Sequence, residues 1–145
     1  MDEYERSEED VENEISNMPV PYYGNVLVVD DMITNLYVMK SLLSAYGITV
    51  EIATSGFEAI KQIETGKIYN IIFMDHIMPE LDGMQTVEVL RAMGYGGIIV
   101  ALTANNDDGQ RDMFMSRGFS EFMSKPVDIE DLDRCIARFI PVPSA

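Results

Sequence analysis

Four apolar runs punctuate this chain, and each breaks off at residues that carry polar chemistry. Val26-Leu27-Val28-Val29 stops at the pair Asp30-Asp31, Ile71-Ile72-Phe73-Met74 stops at Asp75, and the run from Ile98 to Leu102 stops at Thr103. A shorter run from Phe119 to Met123 is followed by Lys125-Pro126. Continuous Val/Ile-rich runs of this length, separated by helical patterns, mark strands buried on both faces of a parallel sheet. An open parallel sheet keeps its ligand site at the carboxyl ends of the strands. Three acids, one hydroxyl and one lysine are therefore expected to meet at a single edge.

The pattern after Pro19 and Pro21 alternates strand and helix five times. Strands are expected at about 25–29, 48–53, 70–74, 98–102 and 120–123. The first helix is expected over 33–46, with Leu36, Met39, Leu43 and Tyr46 on one face and Gly47 as its stop signal. Ser55 and Glu58 have the spacing of a capping box opening the second helix, which ends before Gly66. A loop with Pro79 and Gly83 precedes a third helix to about Met93, and a weaker pattern over 107–117 is the fourth. Asp128 can cap the last helix, and Pro141 stops it. The second strand alternates apolar and polar residues, as an edge strand does. The result is an α/β fold: a (βα)5 doubly wound parallel sheet in a three-layer sandwich. Residues 1–24 read as an acidic, flexible leader, 25–140 as the folded domain and 141–145 as a tail.

Composition narrows the function. At 145 residues the chain has room for one domain, and 47% apolar content is enough for a full core. No stretch approaches the roughly 18 apolar residues a membrane helix needs, and the acidic start is unlike a secretory signal. Net charge is −15, of which residues 1–18 supply eight acids against one arginine. So acidic a surface repels phosphate backbones and argues against direct nucleic-acid binding. Cys135 is the single cysteine, in line with Leu132, Ile136 and Phe139, and reads as a packed core thiol in a reducing, cytoplasmic setting.

The clustered residues suggest their own chemistry. Asp30, Asp31 and Asp75 without a partner would repel one another, and at least one would be pushed toward protonation. A divalent cation removes that conflict, and an all-oxygen set suits Mg²⁺. Mg²⁺ beside a carboxylate, with Lys125 and the Thr103 hydroxyl to hold two further oxygens, is a phosphoryl-transfer arrangement. Asp75, central among the strands, would be the nucleophile and would form an acyl phosphate.

These segments carry a resemblance. From about Asn25 to Ile140, the stretches Val26–Asp31, Phe73–Gly83, Ala101–Ala104 and Lys125-Pro126 are similar to the response-regulator receiver domain of two-component signalling. The resemblance implies a flavodoxin-like sandwich with strand order 2-1-3-4-5. It implies Asp75 as phosphoacceptor from a phosphohistidine, with Asp30, Asp31 and the backbone carbonyl of Ile77 completing the metal ligands. It also implies Thr103 and Lys125 as phosphoryl contacts, Thr103 and Phe122 as the switch pair, and a cis Lys125–Pro126 bond. The implied donor is a sensor histidine kinase or a histidine phosphotransfer domain. The output face is the one built by the fourth helix, fifth strand and fifth helix. Asn35 and the stretch from Gly118 to Ile129 resemble receivers attached to hybrid sensor histidine kinases, although Met32 stands where many such receivers carry Asn. A stand-alone response regulator is the alternative, and no DNA-binding output module is expected in these residues.

Ile77 and Asn105, each two residues past a site residue, are expected to tune how fast water removes the phosphoryl group. His76, next to Asp75, should face away from the site, because adjacent strand residues point to opposite faces. Met32 and Leu36 are candidates for a partner-docking patch. The Gly94-Tyr95-Gly96-Gly97 stretch has the wrong order for a phosphate loop, since it follows a helix and precedes a strand. Two other classes fit the fold less well. A Mg²⁺-dependent aspartyl phosphatase of the haloacid-dehalogenase type needs Asp-x-Asp where this chain has Asp30-Asp31-Met32. A flavodoxin-like electron carrier would bring a flavin phosphate against two carboxylates.

Overall fold

Strands β1 (Asn25–Val29), β2 (Thr49–Ala53), β3 (Ile71–Asp75), β4 (Ile99–Thr103) and β5 (Glu121–Ser124) pair in parallel in the order 2-1-3-4-5. The structure is a computed structural model that describes residues 24–104 and 108–140. The expected leader and tail, apart from Gly24, and Asn105 lie outside the described residues. Helices α1 (Ile33–Ser44), α2 (Gly56–Glu64), α3 (Gly83–Ala92), α4 (Asp108–Ser116) and α5 (Ile129–Phe139) alternate with the strands. Every residue of β3 and β4 is buried, as two-faced coverage requires. β2, at the edge, is partly open.

The two helical layers divide the strand residues by parity. Val26 and Val28 of β1 join Ile71, Phe73, Val100 and Leu102 against Leu36, Met39 and Leu43 of α1 and Leu132 and Ile136 of α5. Leu27 and Val29 face the other way, with Ile72, Met74, Ile99 and Ala101, against Ala59 of α2, Val87 and Leu90 of α3 and Phe114 of α4. Two-residue alternation of side chains thus builds both cores from one sheet.

Three strands sit one residue later than their apolar runs suggest. The β3–β4 ladder still pairs Asp75 with Leu102, and the β4–β5 ladder pairs Thr103 with Ser124. The polar site residues Asp75 and Thr103 are therefore the last strand residues rather than the first loop residues. α1 ends at Ser44, two residues early, and Gly47 takes a φ of 77°, open to glycine at no steric cost. At α2 the Ser55 hydroxyl accepts from the Glu58 amide as expected, but Glu58 returns its bonds to Thr54 rather than to Ser55. The full reciprocal box is at α3 instead, between Asp82 and Gln85. The Gly94–Gly97 turn wraps the buried Tyr95, with Arg91 bonded to the carbonyls of Tyr95, Gly97 and Gly118.

Candidate functional site

The carboxyl edge of the sheet gathers the charged residues. Asp30 and Asp31 follow β1 directly, Asp75 ends β3, Thr103 ends β4, and Lys125 follows β5. Asp30 and Asp75 are almost fully buried, whereas Asp31 is exposed. Oxygens of all three carboxylates lie within 4.8 Å of one another. The Lys125 ammonium reaches into this cluster, 2.7 Å from Asp75 Oδ1 and 3.6 Å from Asp30 Oδ2. The Lys125 amide donates to the Thr103 carbonyl at 2.8 Å, so the backbone ties the lysine to the end of β4. The Lys125–Pro126 bond is cis.

The turn after β3 is shaped around the same edge. Asp30 Oδ1 accepts from the Met32 amide at 2.9 Å, which fixes one carboxylate as the chain enters α1. Gly83 donates to the His76 carbonyl, and a side-chain carbon there would fall 2.4 Å from the carbonyl oxygen of Asp75. Only glycine lets α3 start this close to the strand end. Glu80, in the same loop, holds a φ of 68°.

One ammonium faces three carboxylates, and the electrostatics follow from that imbalance. Burial lifts the Asp75 carboxyl above the ordinary aspartate range. The Lys125 hydrogen bond works against that lift, while the Asp30 and Asp31 charges add to it, and the net direction is upward. Burial also works against the Lys125 charge, but the Asp75 bond and the Asp75 and Asp30 charges outweigh it and raise the ammonium's pKa. This is a site that gains from another cation. Its donors are oxygens only, two of them on nearly buried carboxylates, which suits a hard divalent ion rather than a thiolate- or imidazole-seeking one.

His76 packs edge-on against Phe114 of α4, ring centroids 4.9 Å apart, on the opposite face from the carboxylates. Phe122 stacks on the same Phe114 ring at 6.1 Å and lies under the Arg111 guanidinium. The Ile77 side chain is 70% exposed. Leu36 is fully buried in the core and cannot belong to a docking patch. Its position on α1 turns it to the sheet, while Met32, Ile33 and Tyr37 stand more than half exposed around it.

A feature that the sequence reading missed lies at the other end of β5. Glu121 there accepts from Arg111 of α4 and Arg138 of α5, each at 3.0 Å. Glu121 opens its strand, away from the end at which an apolar run gives way to polar residues.

This edge geometry can be set beside known proteins. The family model for the response regulator receiver domain matches residues 26–137. The chain belongs to the response-regulator receiver family. Among relatives, it is 36% identical over 106 residues to a two-component response regulator of Arabidopsis thaliana, "Two-component response regulator 24", covering 73% of this chain and 76% of that protein. It is 37% identical over 120 residues to the osmosensing histidine protein kinase SLN1 of Saccharomyces cerevisiae, covering 79% of this chain but 10% of the kinase. The receiver thus spans most of one relative and a small part of the other. Among solved structures, the receiver domain of Ssk1, co-crystallised with the histidine phosphotransfer protein Ypd1 of Saccharomyces cerevisiae, matches with a TM-score of 0.76 and 28% identity. That match covers 83% of this chain and 91% of that one. The fold, the family and a role in phosphorelay signalling are therefore established for this chain. Among the described residues, no helix is long and apolar enough to cross a membrane.

Proposed function

We propose that this receiver takes a phosphoryl group from a phosphohistidine onto Asp75, with Mg²⁺ held by Asp30, Asp31, Asp75 and the Ile77 carbonyl. The observation that carries this reading is the single ammonium of Lys125 set against three carboxylates, one of them at the central strand end. When bound, Mg²⁺ would neutralise charge on the transferring group and on the carboxylates. Asp75 oxygen attacks phosphorus as the P–N bond to the imidazole breaks. The bonding pair goes to the ring nitrogen, which takes a proton as it leaves. Lys125 and the Thr103 hydroxyl bind phosphoryl oxygens, and Thr103 with Phe122 turns that contact into a changed α4–β5–α5 face. Ile77 and Asn105 set the lifetime of the acyl phosphate in water.

The donor fits beside the acidic pair. Met32 follows Asp31 directly, Ile33 opens α1, and Tyr37 lies one turn on, all exposed. Three open apolar side chains flanking a reaction site suit docking of another protein's helices. A histidine phosphotransfer domain, or the phosphohistidine domain of a kinase, is the partner we infer. Placement within a hybrid sensor histidine kinase and action in the cytoplasm complete the proposal.

The test starts from a phosphotransfer domain carrying radiolabel on histidine. Label should move to this chain as an acyl phosphate, and Asp75→Asn should receive none. Tyr37→Ala should slow transfer from the protein donor at least tenfold while leaving transfer from acetyl phosphate unchanged. Label that appears on Asp75→Asn would contradict the assignment.

A further inference from the structure

Between α4, β5 and α5 runs a groove of about 430 Å³. Its lining includes Arg111, Arg134 and Arg138, three of the ten basic residues in a chain of net charge −15. The opposing acids in the lining are Glu121 and Asp131, so the groove is locally positive on an acidic protein. Glu121 is mostly buried and anchors Arg111 and Arg138, but all three arginine side chains are more than half exposed. Arg134 pairs with Asp131 across one helical turn, the kind of exposed contact that exchanges partners at little cost.

An anionic segment lies within reach in this chain's own sequence, and two facts favour it over a separate molecule. Residues 2–14 hold eight carboxylates against Arg6. Gly24, where the described residues start, lies against Ile140 at the end of α5: a side-chain carbon at position 24 would fall 3.3 Å from Ile140 Cγ2. A segment entering beside Arg138 and Phe139 needs no more than a few residues of slack to run along α5, which is about 16 Å long. Twenty-three residues can span about 75 Å when extended.

We infer that the acidic leader, residues 2–14, docks in the arginine groove of the α4–β5–α5 face of its own chain. Its carboxylates pair with Arg134 and Arg138 and, at the far side, with Arg111. Phe122 lies beneath Arg111, so the occupied groove covers the ring proposed above as part of the switch. The leader then competes with any partner for the output face. This goes beyond the phosphoacceptor reading and does not depend on it.

The test uses the full chain with no phosphodonor and no added metal, so its failure and a failure of the Asp75 reading are separate results. A nitroxide is attached through Ser7→Cys; the native thiol of Cys135 is buried and its pKa is pushed up to about 12, so it stays unlabelled. Amide broadening is read in about 0.02 M and about 0.5 M salt, where screening lengths differ several-fold. The expected result is broadening concentrated on β5 and on α5, at least fivefold stronger than on α1 or β2. High salt should remove it, and so should Arg134→Gln with Arg138→Gln, which removes both charges while Arg111 still pairs with Glu121. A second variant, Glu8→Gln with Glu9→Gln and Glu12→Gln, should lose it without touching the folded domain. Even broadening over the whole surface, or broadening centred on Lys40 or Lys67, would overturn the proposal. So would broadening of an untagged, isotope-labelled chain mixed with a tagged unlabelled one, because that result assigns the groove to a second copy.

Discussion

Lys125 and Glu121 stand at opposite ends of β5, and each is one charge held between two of opposite sign. Lys125 lies between Asp75 and Asp30, whose side chains are 7% and 2% exposed. Glu121 lies between Arg111 and Arg138, whose side chains are 51% and 63% exposed. The same arrangement therefore has opposite consequences. At the carboxyl edge the flanking charges are cut off from water and cannot relax if the central ion is lost. At the other end the flanking guanidiniums stay hydrated, and only the central carboxylate depends on its partners. Burial of the outer ions, rather than the number of pairs, separates a reactive site from an adaptable surface.

The largest effect sharpens this contrast at the floor of the outer groove. Its arginine rim is wet, but Cys135 beneath is buried, and its thiol is pushed up to about 12 from 9.0. Native protein at pH 8 should then be alkylated at least about fiftyfold more slowly than urea-unfolded protein, by iodoacetamide kinetics. Similar rates would show that the groove is open to its floor.

Removing the two central ions is the direct comparison. Lys125→Ala leaves three carboxylates without their ammonium and should destabilise the metal-free protein by about 2 kcal/mol. Added Mg²⁺ should restore more of that stability in the variant than it adds to the parent, by urea denaturation. Glu121→Gln should cost less than about 1 kcal/mol, because its guanidiniums turn to water. Equal losses would break the comparison.

A smaller effect lies in the pH dependence. The native Asp75 carboxyl keeps its proton to a higher pH than the unfolded chain does. Its contribution to stability is therefore most favourable below the ordinary aspartate range and declines as the pH rises through that range to the raised native value. Asp75→Asn lacks this decline. As the pH rises above the ordinary aspartate value of about 4, the stability of Asp75→Asn relative to the parent should rise, in urea titrations of metal-free protein. A flat or falling difference would mean that the Lys125 bond outweighs burial.

Most of the fold could be read from the apolar runs, because β3 and β4 are buried on both faces and so tolerate no polar residue until they end. The edge strand β2 was equally legible from its alternation. Strand ends slipped by one residue because the ladder is a property of the neighbouring strand: Asp75 stays paired only because Leu102 is opposite. The site residues were visible as the polar stops after each run. Their contacts were not, since Lys125 meets Asp75 across fifty positions of sequence. Leu36 was misread because exposure on α1 turns on a rotation that its neighbours Met32, Ile33 and Tyr37 do not share. The Glu121 cluster draws on three separate elements, and no local pattern links Arg111, Glu121 and Arg138.

The central claim is that the Lys125-bound carboxylate of Asp75 is the phosphoacceptor. Intact mass after incubation with Mg²⁺ and acetyl phosphate tests it most directly, beside Asp75→Asn and a sample with the metal chelated. The account predicts a gain of one phosphoryl group in the parent with Mg²⁺ and none in either control. An adduct that survives in Asp75→Asn, or one that forms equally well with the metal chelated, would contradict it.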